Sequence, residues 1–207
     1  MRVNIYIDGF NLFYGSVKGT PYKWLDCDKM CRLLLPNHQI NIIKYFTAEV
    51  RARPHDPQQL IRQQAYLRAL RTIPNLEIIL GHFLTSEVTM PIAGSPVNAP
   101  QYIRVVKTEE KGSDVNIATH LLMDGVKNDY EMAVLVTNDS DLLEPIKVVR
   151  NELNLPVGLL NPHKRPSRAL LPHVTFIKQI RKGVLAASQF PSTMTDKQGA
   201  FHKPASW

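Results

Sequence analysis

Cysteine is scarce: the 207-residue chain has only Cys27 and Cys31. They lie four apart in DCDKMCRLLL, a helix-like stretch, where one-turn spacing makes a poor disulfide and, with no nearby histidine, a poor zinc site. Both thiols are expected to pack against a helix in a reducing compartment. No apolar stretch reaches about 18 residues, and no N-terminal segment has the basic, apolar and small-residue order of a signal peptide. No membrane association is expected, and the location read from these features is cytoplasmic. The seven histidines, at 38, 55, 82, 120, 163, 173 and 202, form no pair close in sequence. That disfavours a metal-free ribonuclease built on histidines. Internal repeats are absent.

What is present is the composition of a globular protein, 44% hydrophobic and 21% charged. The length suits one sizeable core. One domain is expected over residues 1–186, followed by a mobile tail over 187–207, where Ser, Thr, Pro, Gln and Lys mix without periodicity. Of the net charge of +7, four basic residues against Asp196 from Arg181 onward account for +3, leaving +4 on residues 1–180. A basic globular part favours encounter with polyanions, RNA first and DNA as the other choice.

Strand-like runs occur at Val3 to Ile7, Ile40 to Val50, Leu76 to Phe83, Tyr102 to Lys107, Ala133 to Val136 and Val157 to Leu160, with a weaker one at Val174 to Ile177. Most are unbroken Ile/Val/Leu stretches without polar alternation, the pattern of strands covered on both faces. Helical patterns at Lys23 to Leu35, Pro57 to Ile73, Ser113 to Val126 and Asp141 to Leu153 alternate with them. The fold class is therefore α/β, with a mainly parallel central sheet and helices on both faces. Residues 84–100, with three prolines and a glycine, fit a long loop or an irregular hairpin.

In such a sheet the usable crevice lies beyond the carboxyl ends of the strands. Asp8 in IYIDGFNLFYG stands at one of those ends, and Asp139 and Asp141 in AVLVTNDSDLLEPI stand at another. One aspartate suffices to cap a helix, so the DSD pair exceeds what capping needs. With Ser113 as cap, Asp114 falls in line with Ala118, Leu121 and Leu122 and should point over the sheet. Four acids on one edge repel one another unless a cation joins them, and Mg²⁺ or Mn²⁺ prefers such oxygen ligands. Such an ion lowers the pKa of bound water for in-line attack on a phosphodiester and stabilises charge on its oxygens.

The stretches IYIDGFNLFYG, EEKGSDVNIATHLLMDG and AVLVTNDSDLLEPI, in that order and at that spacing, resemble the NYN domain family of the PIN-like nuclease superfamily, over about residues 1–160. The resemblance implies a three-layer α/β/α sandwich and a metal-dependent ribonuclease, a hydrolase of phosphodiester bonds. By motif match, Asp8, Asp114, Asp139 and Asp141 take the place of the acidic cluster that holds Mg²⁺ or Mn²⁺. Asn11 is the asparagine of the DGFN turn, expected to orient a phosphate or a water.

Candidate substrate contacts near the same edge are Lys107 and Lys111, Arg51 and Arg53, and the NPHKRPSR segment with His163, Lys164, Arg165 and Arg168. Phe10, Phe13 and Tyr14 are read as packing of the first helical turn, with base stacking as the other role. Three functions stay open: an endoribonuclease, a non-catalytic RNA-binding or regulatory module, and a phosphatase with Asp8 as nucleophile. The last wants a second acid two residues on, where Phe10 stands. A homodimer remains open too.

Overall fold

The computed structural model describes residues 1–52, 56–96 and 98–207. Among these, seven strands form one sheet in the order β4-β3-β2-β1-β5-β6-β7. They are β1 (Arg2–Asp8), β2 (Gln39–Ala48), β3 (Leu76–Pro91), β4 (Tyr102–Lys111), β5 (Met132–Val136), β6 (Val157–Asn161) and β7 (Phe176–Gln179). Every pairing is parallel except β3 with β4. The helices are α1 (Gly9–Leu12, continued by a π turn over Phe13–Val17), α2 (Cys27–Leu34), α3 (Gln59–Leu70), α4 (Ser113–Val126), α5 (Leu143–Asn151) and α6 (Lys182–Ala187). None is long and apolar enough to cross a membrane.

Alternation along the strands splits the core in two. Val3, Ile5 and Ile7 of β1 join Tyr45 of β2 in a cluster with residues of α2, α3 and α6. Tyr6 and Phe46 point to the other face and pack with Ile117 and Leu121 of α4 and Ile146 and Val149 of α5. The result is the three-layer sandwich, with a mainly parallel sheet between helices. On the α4 face the sheet also buries an ion pair, Lys44 Nζ to Asp124 Oδ2 at 2.6 Å, which the Tyr6 hydroxyl supports by donating to Asp124 at 2.7 Å. Cys27 and Cys31 are buried free thiols, pushed above the ordinary thiol range by burial.

Two stretches differ from expectation. Residues 84–100 were read as a long loop or an irregular hairpin; the hairpin is there, but it is regular and longer, with β3 running on to Pro91. Its first half pairs with β2 and its second half, His82 to Pro91, pairs with β4 from Lys111 back to Tyr102. This two-stranded arm leaves the sheet with Leu84, Tyr102, Ile103 and Val106 exposed. Beyond Ala187, instead of a mobile tail, the chain forms a hairpin, β8 (Thr193–Asp196) and β9 (Gly199–His202). Phe190, Phe201 and Trp207 set their rings against the fully buried Trp24 at 5.9, 6.4 and 6.3 Å. Arg68 holds the hairpin with two bonds to Asp196, at 2.7 and 2.6 Å. Polar neighbours hide these aromatic anchors from a reading by composition.

Candidate functional site

The sheet order reverses between β1 and β5, since β2 and β3 follow β1 to one side while β6 and β7 follow β5 to the other. At such a switch point the outgoing loops diverge and leave a crevice. Asp8 ends β1 there, and Thr137 to Asp141 follow β5. A cleft of about 220 Å³ opens at this place, lined by Asp8, Phe10, Asn11, Tyr14, Glu110, Ser113, Asp114, Asp139 and His163.

Asp8 caps α1: its Oδ1 accepts from the Asn11 amide at 2.9 Å, and its Oδ2 accepts from the Thr137 hydroxyl at 3.2 Å. The same hydroxyl accepts from the Asp139 amide at 3.1 Å, and Asp139 Oδ1 accepts from the Asp141 amide at 3.0 Å. Asn11 Oδ1 takes the Asn138 amide at 2.9 Å, tying the two strand ends together. Asp8 is 6% exposed. Burial, with the Asp114 and Asp139 charges adding to it, raises its pKa to about 6 against the pull of its two hydrogen bonds.

Asp114 enters from the first turn of α4, half-buried and with no hydrogen bond or ion pair among the described residues. Burial and the charges of Asp139, Glu110 and Asp141 raise its pKa. The cap of α4 is Gly112, not Ser113. With φ at +100°, this backbone favours glycine. Ser113 instead bonds back to Glu110 Oε1 through its amide (3.2 Å) and hydroxyl (2.9 Å).

The cleft thus gathers Asp8, Asn11, Asp114 and Asp139. Asp141 stands exposed beside it, close enough for its charge to act on Asp114. Glu110 is an acid that the sequence reading passed over. It sits three residues before the helix, on the strand β4, whose pairing with β3 carries it to the cleft. His163, read as a substrate contact, lines the cleft itself. Its backbone carbonyl accepts from Asn161 Nδ2 at 2.8 Å and Gln179 Nε2 at 2.6 Å. A side chain on Gly15 would come within 2.7 Å of the His163 ring, so the close approach needs glycine.

The basic candidates divide. Lys107 and Lys111 both pair with Glu109, at 2.8 and 3.7 Å, and do not line the cleft. Their position on the arm makes Glu109 the nearer partner. Arg51 is exposed past the end of β2, and Arg53 lies outside the described residues. Lys164 and Arg165 are exposed on the loop after β6, where the Arg165 carbonyl accepts from Asn138 Nδ2 at 3.1 Å. Phe10 stacks edge-on to Phe83 at 5.7 Å, whereas Tyr14 is largely exposed, so the aromatic trio is only partly core packing.

No lysine or arginine among the described residues forms an ion pair with Asp8, Glu110, Asp114, Asp139 or Asp141. Among the same residues, no three acidic, histidine or cysteine side chains are grouped closely enough to hold a metal ion by themselves. The donors are hard carboxylate oxygens, the ligand type that hard divalent cations prefer.

Comparison with known proteins bears on the family and the fold. The chain is 32% identical over 238 residues to the 6-hydroxy-3-succinoylpyridine 3-monooxygenase HspA of Pseudomonas putida, covering all of this chain and 75% of that one. It shares its fold with the crystal structure of a protein of unknown function from Vibrio parahaemolyticus, at a TM-score of 0.58 and 16% identity, over 91% of this chain and 96% of that one. The NYN domain model matches residues 2–178, and the chain belongs to the NYN domain family.

Proposed function

We propose that the protein is a divalent-metal-dependent endoribonuclease, cutting phosphodiester bonds to leave 5′-phosphate and 3′-hydroxyl ends. The observation that carries this reading is the unpaired acidic charge at the switch point: Asp8, 6% exposed, shares a cleft with three other acids, and no lysine or arginine among the described residues pairs with any of them. Asp8, Asp114 and Asp139 would hold Mg²⁺ or Mn²⁺ in part through its bound waters, with Asp141 at the outer edge. The ion supplies charge neutralisation and Lewis acidity toward a phosphoryl oxygen.

The chain's own groups do the rest. Asn11 has its Oδ1 occupied by Asn138, which leaves its Nδ2 to donate to a phosphate oxygen in the cleft. His163 closes the far wall and can donate to the same phosphodiester. Lys164 and Arg165 flank the mouth and attract the strand without reading its sequence. The test is incubation of purified protein with labelled single-stranded and structured RNA and DNA, with Mn²⁺, Mg²⁺ or chelator. Metal-dependent cleavage of RNA is expected. Cleavage undiminished by chelator overturns the reading, and RNA binding without cleavage in either metal replaces it with the non-catalytic module.

A second reading draws on the similarity to the named monooxygenase, which runs the length of the chain. It is hydroxylation of an N-heteroaromatic small molecule. Consumption of 6-hydroxy-3-succinoylpyridine in the presence of oxygen and a reduced flavin or nicotinamide would support it, and no substrate-dependent turnover would reject it.

A further inference from the structure

A second chamber, of about 470 Å³, lies on the α2/α3 face of the sheet and shares only Phe10 and Tyr14 with the acidic cleft. Its size is that of a small-molecule site. Tyr45 and Thr47, alternate residues of β2, contribute to its lining at 6% and 3% exposure. Neither hydroxyl has a hydrogen-bond partner among the described residues, and neither is sealed from the chamber. Their neighbours are satisfied: the Tyr66 hydroxyl donates to the Leu25 carbonyl at 2.9 Å, and Gln63 bonds Val50 and Ala48 through both ends of its amide. Two hydroxyls that open onto one chamber and bond nothing else among the described residues are available to a polar occupant.

The remaining walls define that occupant. Phe13, Tyr14, Tyr66 and Trp207 bring ring surfaces that suit a flat aromatic body. Asp56 is the acid of the lining, and Arg62 is paired with it. Lys18 and Lys23 have no ion-pair partner among the described residues, and Lys18 Nζ rests 4.8 Å from the centre of the Tyr14 ring. The chamber therefore carries two uncompensated cations beside aromatic walls and two open hydroxyls.

We propose that this chamber binds a small planar heteroaromatic carboxylate, its ring lying between the aromatic side chains, its polar ring atoms on Tyr45 and Thr47, and its carboxylate on Lys18 and Lys23. The site rests on the chamber alone, so it survives the failure of either reaction above. Titration calorimetry of the full chain in chelator, without nucleic acid or reductant, isolates it. The probe is 6-hydroxynicotinate, with 6-hydroxynicotinamide as the uncharged match and uridine 5′-monophosphate as the nucleotide arm.

Saturable one-to-one binding of 6-hydroxynicotinate is expected, weakened about tenfold for the amide. Tyr45→Phe should weaken it about five- to tenfold and Lys23→Met about tenfold or more, the scale of one neutral and one charged hydrogen bond. Because the Tyr45 hydroxyl has no partner to lose, Tyr45→Phe should melt no lower than the parent. Absence of saturable binding overturns the proposal, as does unchanged affinity in both variants. Saturation by uridine 5′-monophosphate without 6-hydroxynicotinate overturns it too, and makes the chamber a nucleotide subsite.

Discussion

Replacing Asp8 by asparagine should make the metal-free protein more stable, although it removes the acid at the heart of the cleft. Burial, aided by Asp114 and Asp139, lifts the Asp8 pKa from 3.8 to about 6. Between those values the folded protein keeps a proton that the unfolded chain has lost. Wild-type stability therefore falls as pH rises through that window and stays lowered above it. At about 1.4 kcal/mol per pKa unit, the ionised carboxylate costs about 2 to 3 kcal/mol at pH 8. Asparagine keeps the acceptor for the Asn11 amide and carries no charge. In chelator, Asp8→Asn should melt about 5 to 10 °C above wild type at pH 8, and the two should coincide near pH 3.5. A divalent cation at one hundred times the dissociation constant should close most of this gap, since wild type then gains about 2.7 kcal/mol while the variant gains less. An Asp8→Asn protein that melts below wild type at pH 8 in chelator would refute the reasoning, because the hydrogen bonds from Asn11 and Thr137 would then outweigh the burial of charge.

Gly112→Ala should cost about 1 to 2 kcal/mol, read by chemical denaturation, because φ at +100° is unfavourable to a side chain. Its cleavage rate should fall further than its stability, since Asp114 follows two residues on. Phe201→Ala should cost about 3 to 5 kcal/mol by removing a ring packed on Trp24, and unchanged stability would return the segment to a mobile tail. Lys164→Glu combined with Arg165→Glu should weaken RNA binding and flatten its salt dependence, measured by fluorescence anisotropy across a salt series. An unchanged slope leaves both as solvated bystanders.

Much of the site was legible because its parts are local in sequence. DGFN puts Asp8 and Asn11 on one turn, NDSD puts Asp139 and Asp141 on another, and Ser113–Val126 forms the helix its periodicity predicts. Glu110 and His163 were hidden by distance: one reaches the cleft through antiparallel pairing of the arm, the other through a loop pinned by Asn161 and Gln179. Of the arm, Tyr102 to Lys107 was legible as a strand, whereas the outer part of β3, past Phe83, was not, because it faces solvent on both sides and so lacks the buried-strand pattern. The second chamber joins β2, α1, α3 and Trp207, and no local pattern announces such a meeting. Lys107 and Lys111, near the site in sequence, stand outside the cleft lining, where each meets Glu109.

The arm has no slack where it meets the acidic cleft. Ten paired positions, from His82 opposite Lys111 to Pro91 opposite Tyr102, run directly into Gly112 and then into α4. Glu110 clasps Ser113 across that junction. A swing of the arm would be taken up where β3 passes from β2 to β4, at Gly81 and His82, and at Gly112, or be passed on to the first turn of α4, where Glu110 and Asp114 stand. Asp8 and Asp139 belong to the fixed centre of the sheet. The gap between these two pairs of acids is the dimension that a load on the arm would open or close.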